Sequence, residues 1–347
     1  MIRSFAIPGS RILDVCAVDA TYGHVLILQS DGEMCGVNLD SGEIKSLCSV
    51  TLPALPECDD NAPFDPPGYR LHANARGTIC AIVVDQGRSG GVVDTSSGNA
   101  TMSLDGGDYF DHTVPFSVCF LPVDDTEFIV HRSAWNRLDA SDPVTGSTYT
   151  TRNFDSVGAE GQRPLHYLDY FHGRLLPSPD GRLIFDDGWV WHPVSVPRIW
   201  SAPIWLQTNP WESEDGSSLV ELTMRDDWNS PACWVSDRHI AIWGVVDWDE
   251  EEFECKGILP GVQISDTTSK DRSSDSHWLM DIPEVPVRDL FSDGEHLIVA
   301  VERVTSIWNI ASRSKLLTIP DFLPRFYDCK RRSLVAARET TLLIFGI

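Results

Sequence analysis

The chain has 347 residues, a formal net charge of −24 and a hydrophobic content of 42%. That length can bury a sizeable core, and that apolar fraction excludes global disorder. No apolar run approaches the ~18 residues of a helical membrane span. The negative charge disfavours direct binding to nucleic acid or to an anionic membrane through the bulk surface; a basic protein partner, or simple solubility, fits better. Nine cysteines, with no Cys-x-x-Cys pair, sit mostly in apolar strand patterns (Cys16, Cys35, Cys80, Cys119, Cys233) and read as small reduced core residues, which points to the cytoplasm. Pro8, Gly9, Ser10 and Arg11 break the first apolar stretch, so no secretory signal is expected.

In chain order, Arg3 to Pro8 comes first, an apolar strand with no hairpin partner of its own. A short apolar segment behind a polar turn then recurs seven times, at 24–29, 79–84, 127–131, 182–186, 239–243, 296–300 and 333–337. Each is too short for a typical helix and rich in β-formers. Several follow turn chemistry, as in Ser178-Pro179-Asp180-Gly181 and Ser292-Asp293-Gly294. A second strand ending in a polar turn follows, clearest at 36–42, 91–98, 261–266 and 306–310. The starts lie 37 to 57 residues apart, the length of a four-stranded propeller blade plus variable loops.

Ile307-Trp308-Asn309 and Arg198-Ile199-Trp200-Ser201 resemble the Trp-Asp strand of WD40 repeats. The Gly-His dipeptide of that family is missing and most units lack the Trp, so the likeness is to degenerate, WD40-like repeats. The stretches 176–181, 187–191 and 211–216 are similar to uncharacterised bacterial WD40-like propellers. The resemblance implies a fold and carries no activity.

The expected architecture is all-β: a single domain over 1–347, a seven-bladed β-propeller. Blades fall at about 12–50, 70–104, 115–154, 167–224, 230–282 and 286–320. The seventh takes three strands from 324–347 and its fourth from 2–8. This closure pairs two edges that would otherwise stand open at the ends of the ring.

With strands named a to d from the axis outward, the d–a and b–c loops emerge on one face, and the a–b and c–d loops on the other. The long 51–68 connection, the 105–112 connection with Asp105, Asp108, Asp111, Tyr109 and Phe110, and the 247–254 loop all fall on the d–a/b–c face, which is expected to be acidic. Nine of twelve tryptophans lie between Trp189 and Trp248. The candidate docking residues for a basic protein segment are Trp191, Asp226, Asp227, Trp228, Asp247, Trp248, Asp249, Glu250 and Glu251. Aromatic faces attract a cation and carboxylates pair with it. The 202–217 insertion, with Pro210-Trp211, is expected as a c–d loop on the opposite face, anchored by packing.

Catalytic signals are weak. Gly87-Arg88-Ser89-Gly90-Gly91 matches G-x-S-x-G, but strand patterns on both sides make it a hairpin and not a nucleophile elbow. His166, Asp169 and His172 read as structural, since no metal-ligand motif accompanies them. No Walker loop or dinucleotide fingerprint occurs, so no cofactor is expected. The alternative to a non-enzymatic interaction scaffold is a metal-assisted hydrolase or lactonase, with Asp14, His72, Asp169, Asp227, Asp289 and Arg288 near a central channel.

Overall fold

The structure is a computed structural model. It describes residues 2–57, 64–124, 126–153, 165–191, 194–225, 227–249, 254–259, 261–268, 277–280, 282 and 286–347.

Seven antiparallel sheets form a propeller. Blade one is Ile12–Ala20, Gly23–Gln29, Glu33–Val37 and Ile44–Ser49 in sequential order, and blade two is Gly68–Ala73, Ile79–Asp85, Ser89–Asp94 and Ala100–Asp105. Blade six repeats the pattern over Val287–Ser292, His296–Val301, Val304–Asn309 and Ser314–Pro320. The recurring apolar segments are all b strands. Their apolarity has a simple cause: strand b is covered on both sheet faces by the neighbouring blades. Along Gly23–Gln29, Val25 and Ile27 pack toward blade seven while Leu26 and Leu28 pack toward blade two. In Ile79–Asp85, Cys80 and Ile82 face blade one and Ile79, Ala81 and Val83 face blade three. One apolar layer fills each of the seven blade interfaces. Alternation therefore sorts residues between two cores, not between core and solvent.

The ring closes as expected. Ile2–Ala6 pairs antiparallel with Thr341–Gly346, from Ile2 opposite Phe345 to Ala6 opposite Thr341, and Ile7 N–H adds a bond to the Thr340 carbonyl at 2.7 Å. This completes the blade built on Phe326–Asp328 and Ser333–Arg338. Ile7, Ile12, Val335, Leu342 and Ile344 then share one core between blades seven and one.

Three departures bear on the candidate site. Blade three has three paired strands, Val118–Val123, Thr126–Ala134 and Arg137–Ser141; among the described residues its outer segment adds a Ser141–Thr148 bridge and a bond from Tyr149 N–H to the Ala140 carbonyl. Blade four, on Phe171–Pro177, Leu183–Val190, Arg198–Ser201 and Val220–Glu221, makes an excursion after strand b in which Val194–Ser195 pairs back on it. Blade five, on Ala232–Trp234, His239–Trp243, Val262–Asp266 and His277–Met280, carries between b and c a second hairpin, Val246–Asp249 with Glu254–Ile258, where the sequence led us to expect a loop.

The blade-four insertion folds as two short helices, α1 (Ala202–Gln207) and α2 (Glu212–Asp215). Ser201 caps α1 by accepting from Ile204 N–H. The insertion is anchored by packing: Trp205 is buried and donates to the Pro210 carbonyl, and Trp211 stacks on His166 with ring centroids 4.3 Å apart. Glu214 pairs with the buried Arg152 of blade three.

Candidate docking site

The aromatic residues of the d–a/b–c face gather into one body at blades three and four. Trp189, at the end of strand b of blade four, stacks on Phe171 at 4.0 Å (6°) and on Trp228 at 4.7 Å (16°). Trp135, from the b–c turn of blade three, lies 4.4 Å from Phe171. From the connection between blades two and three, Tyr109 stacks above Phe171 at 5.8 Å, and Phe110 meets Trp191 edge-on at 5.0 Å. Phe64 reaches Trp228 from the preceding connection. Offset and edge-to-face geometries dominate, the arrangements that ring quadrupoles favour.

The cluster has a buried floor and an exposed top. Phe171, Trp189 and Trp228 are 1%, 2% and 9% exposed, whereas Tyr109 is 46% and Trp191 41% exposed. Trp228 therefore packs under the surface and is not an exposed contact: its Nε1–H is spent on the Thr113 carbonyl, with Asn229 Nδ2 donating to the same oxygen. Phe110 sits at φ 52°, a conformation that a bulky residue rarely adopts and that costs ~1–3 kcal/mol. It is held there by contacts with Trp191, Phe171 and His112.

A buried polar layer supports the floor. His172 Nδ1 lies 2.6 Å from Asp186 Oδ2, both side chains nearly inaccessible. Arg225 pairs with Asp187, and its Nη1 also donates to the carbonyls of Ser230 (3.0 Å) and Trp243 (3.2 Å). The Arg225 backbone bridges Ser195 on one side and Val245 on the other, joining the excursions of blades four and five. Burial pulls the Arg225 guanidinium below its ordinary pKa, and the Asp227 charge opposes that shift.

Carboxylates border the patch, some already engaged. Arg88 donates to Asp105 at 2.7 and 3.1 Å and lies 3.7 Å from Asp108. That bond holds the Asp105 carboxyl below its usual range. Arg132 is buried beneath, 5.1 Å from the Phe116 ring, and donates to the Gly87 carbonyl at 2.8 Å. Burial lowers its pKa to about 10, against the charges of Asp111, Asp85 and Asp105, so it stays protonated at neutral pH.

Of the residues singled out in the sequence, the structure brings Trp191 and Trp228 into this cluster, and Asp227 is exposed beside it. Asp247, Trp248 and Asp249 lie on the inserted hairpin, which places their backbone on the same face. Asp226, Glu250 and Glu251 lie outside the described residues. Sequence reasoning missed Phe171, Trp189 and Trp135 as parts of one body. The signal was available: a d–a connection, the start of the next strand a and the end of a neighbouring strand b meet at one rim.

Two of the carboxylates named for the alternative reading, Asp14 and Asp289, are paired with arginine, as is their neighbour Asp85. Asp14 accepts from Arg325 (2.5 Å) and from Leu71 N–H (2.8 Å), Asp85 from Arg70 (3.0 Å), and Asp289 from Arg174 (3.2 Å). The last pair links blades four and six. Among the described residues, no group of three or more His, Cys, Asp or Glu is placed to hold a metal ion. His166 and His172 serve packing and ion pairs in separate places.

No protein-family model and no curated protein matches the chain. Solved structures do. A chain in the crystal structure of a mitotic checkpoint complex superposes with a TM-score of 0.55 at 12% identity, covering 99% of this chain and 94% of that one. The β-propeller domain of Cps50 (Swd1) from Myceliophteria thermophila superposes with a TM-score of 0.55 at 10% identity, covering 99% and 100%. At such identities the likeness is one of fold. The protein is a seven-bladed β-propeller, closed by its N-terminal strand.

Proposed function

We propose that this protein is a non-enzymatic interaction scaffold of the cytoplasm that docks a basic protein segment on the d–a/b–c face. The observation that carries the reading is the exposure of Tyr109 and Trp191 on top of a buried, stacked aromatic floor, in a chain of net charge −24. A rigid, half-exposed aromatic pair lets a Lys or Arg side chain lie on a ring while its charge meets carboxylate. Asp108, Asp111 and Asp227 neighbour the ring-bearing residues in sequence, and the proposed surface includes Asp247, Trp248 and Asp249 of the blade-five hairpin together with Asp226, Glu250 and Glu251, which lie outside the described residues. Neighbours of the same fold include a chain from a checkpoint complex, which supports partner binding as the use of such a scaffold. The cytoplasmic assignment is supported by the burial of Cys80, Cys119 and Cys233 as small core residues.

The test is a fluorescence titration with an arginine-rich peptide, in the wild type and in Tyr109→Ala/Trp191→Ala. The double variant should bind about tenfold more weakly at low salt, the loss expected for two cation–π contacts. Equal affinity in a folded double variant removes the proposal.

A further inference from the structure

The face opposite the aromatic patch carries a cleft of about 530 Å³ between blades one and two. It is walled by the a–b turn of blade one, the outer strand of blade one and two turns of blade two, and its size is that of a small-molecule site.

The cleft is preformed. Tyr22 donates its hydroxyl to the Gly77 carbonyl at 2.7 Å, and Thr95 donates to the same oxygen at 2.7 Å. The Tyr22 ring occupies the space over Gly36, where an added Cβ would come within 2.1 Å. Gly77, at φ +63°, leaves room for the hydroxyl; a Cβ there would lie 2.2 Å from it. Burial holds the phenol's pKa well above its ordinary value, so Tyr22 is a neutral wall. With Ala20 and Leu47 it makes one side of the cleft apolar.

The charges at the rim are unbalanced. The one carboxylate in the lining, Asp19, is committed to Lys330, whose hydrogen bond and charge lower its pKa. Lys45 and Arg76 are exposed, and neither makes a side-chain hydrogen bond or ion pair among the described residues. The chain has only five lysines; Lys45 lines this cleft and Lys330 neutralises its Asp19. Thr21 and Ser46 also line the cleft, their hydroxyls without a hydrogen-bond partner among the described residues. Uncommitted cations and hydroxyls in the lining of one cleft, beside a fixed aromatic wall, match an anionic head on an apolar body.

We infer that this cleft binds a small organic anion, its phosphate or carboxylate head held by Lys45 and Arg76 and its apolar body laid against Tyr22 and Leu47. Charge-assisted bonds to the head supply affinity, and the apolar wall selects against the bare inorganic ion.

Isothermal titration with phenyl phosphate, benzoate, benzyl alcohol and inorganic phosphate tests it on the full chain. Phenyl phosphate or benzoate should bind, and the stronger of the two identifies the head group; benzyl alcohol, lacking charge, should not. Lys45→Ala and Arg76→Ala should each weaken binding about tenfold, the scale of one charge-assisted hydrogen bond. Ser46→Glu keeps both cations and should give a similar loss by repulsion, so the inference stays exposed if an alanine variant melts early. No binding of either aromatic anion at about 10 mM, a level that any specific site of this kind exceeds in affinity, overturns it. Wild-type affinity in Lys45→Ala/Arg76→Ala, or inorganic phosphate binding as well as phenyl phosphate, does the same.

Discussion

Trp228 donates its indole N–H to the backbone carbonyl of Thr113 at 2.8 Å, across 115 residues of sequence. The bond ties the connection between blades four and five to the connection between blades two and three. It places a ring from one side of the face under rings from the other. The candidate site is thus a bridge between loops, fixed from below.

Trp228→Ala should destabilise the protein by about 3–5 kcal/mol, because it empties a large buried volume and removes one of the two side-chain hydrogen bonds to the Thr113 carbonyl. Trp191→Ala removes an exposed ring and should cost less than about 1 kcal/mol. Urea unfolding followed by circular dichroism separates the two. Similar costs for both would mean that the floor and the top of the cluster are not distinct.

Arg88→Ala should strengthen binding of a basic peptide. Arg88 is bonded to Asp105 and lies near Asp108, and removing it frees both carboxylates and makes the face more acidic by one charge. A gain of about two- to fivefold at low salt, vanishing at high salt, is expected for exposed charges. A loss of affinity would show that Arg88 itself is a contact.

Deleting residues 2–6 should lower the melting temperature and promote association. The strand Thr341–Gly346 would lose its partner and present an open edge, while Ile7 and its neighbours would lose part of the core between blades seven and one. Differential scanning calorimetry with light scattering reads both effects. An unchanged, monodisperse protein would show that the latch contributes nothing.

Stability should fall on acidification in two steps. Burial lowers the His72 pKa to about 4, against the pull of Asp85 and Asp14. The unfolded chain therefore takes up this proton at higher pH than the folded one, and stability drops as pH falls from about 6.5 to about 4, by roughly 1–3 kcal/mol. Burial raises the Asp14 pKa, but the charges of Arg325 and Arg70 and the Leu71 N–H outweigh it, leaving the carboxyl below its ordinary value. Its contribution is present above the unfolded pKa and is lost only as pH falls below about 4. Urea melts from pH 7 to pH 3 should show the first step shrink in His72→Phe and the second in Asp14→Asn, the remainder belonging to other groups held below their ordinary pKa, among them His24, His131, Asp19 and Asp105. A step unchanged in its variant is assigned elsewhere.

The likeness to solved propellers is one of architecture. Toward the channel, arginines pair with Asp14, Asp85 and Asp289. Catalysis that needed a free carboxylate there would first have to break such a pair.

The seven b strands, the hairpin at Gly87–Gly91 and the pairing of the first strand with the last were legible in the amino-acid order. Each is set by local chemistry: a run of apolar residues covered on both faces, a turn-forming pair of glycines, an apolar strand left without a partner. The hairpin in blade five and the burial of Trp228 were not legible. An acidic stretch reads the same in a loop or a hairpin, and a Trp beside two aspartates reads the same above or below a surface. Only the meeting of loops from blades two, three and four decided that Trp228, Trp189 and Phe171 are floor and that Tyr109 and Trp191 are surface. The reason is physical. Strand b is specified by its own side chains, whereas burial at the rim of the ring depends on which distant rings arrive there, and that depends on the closed circle.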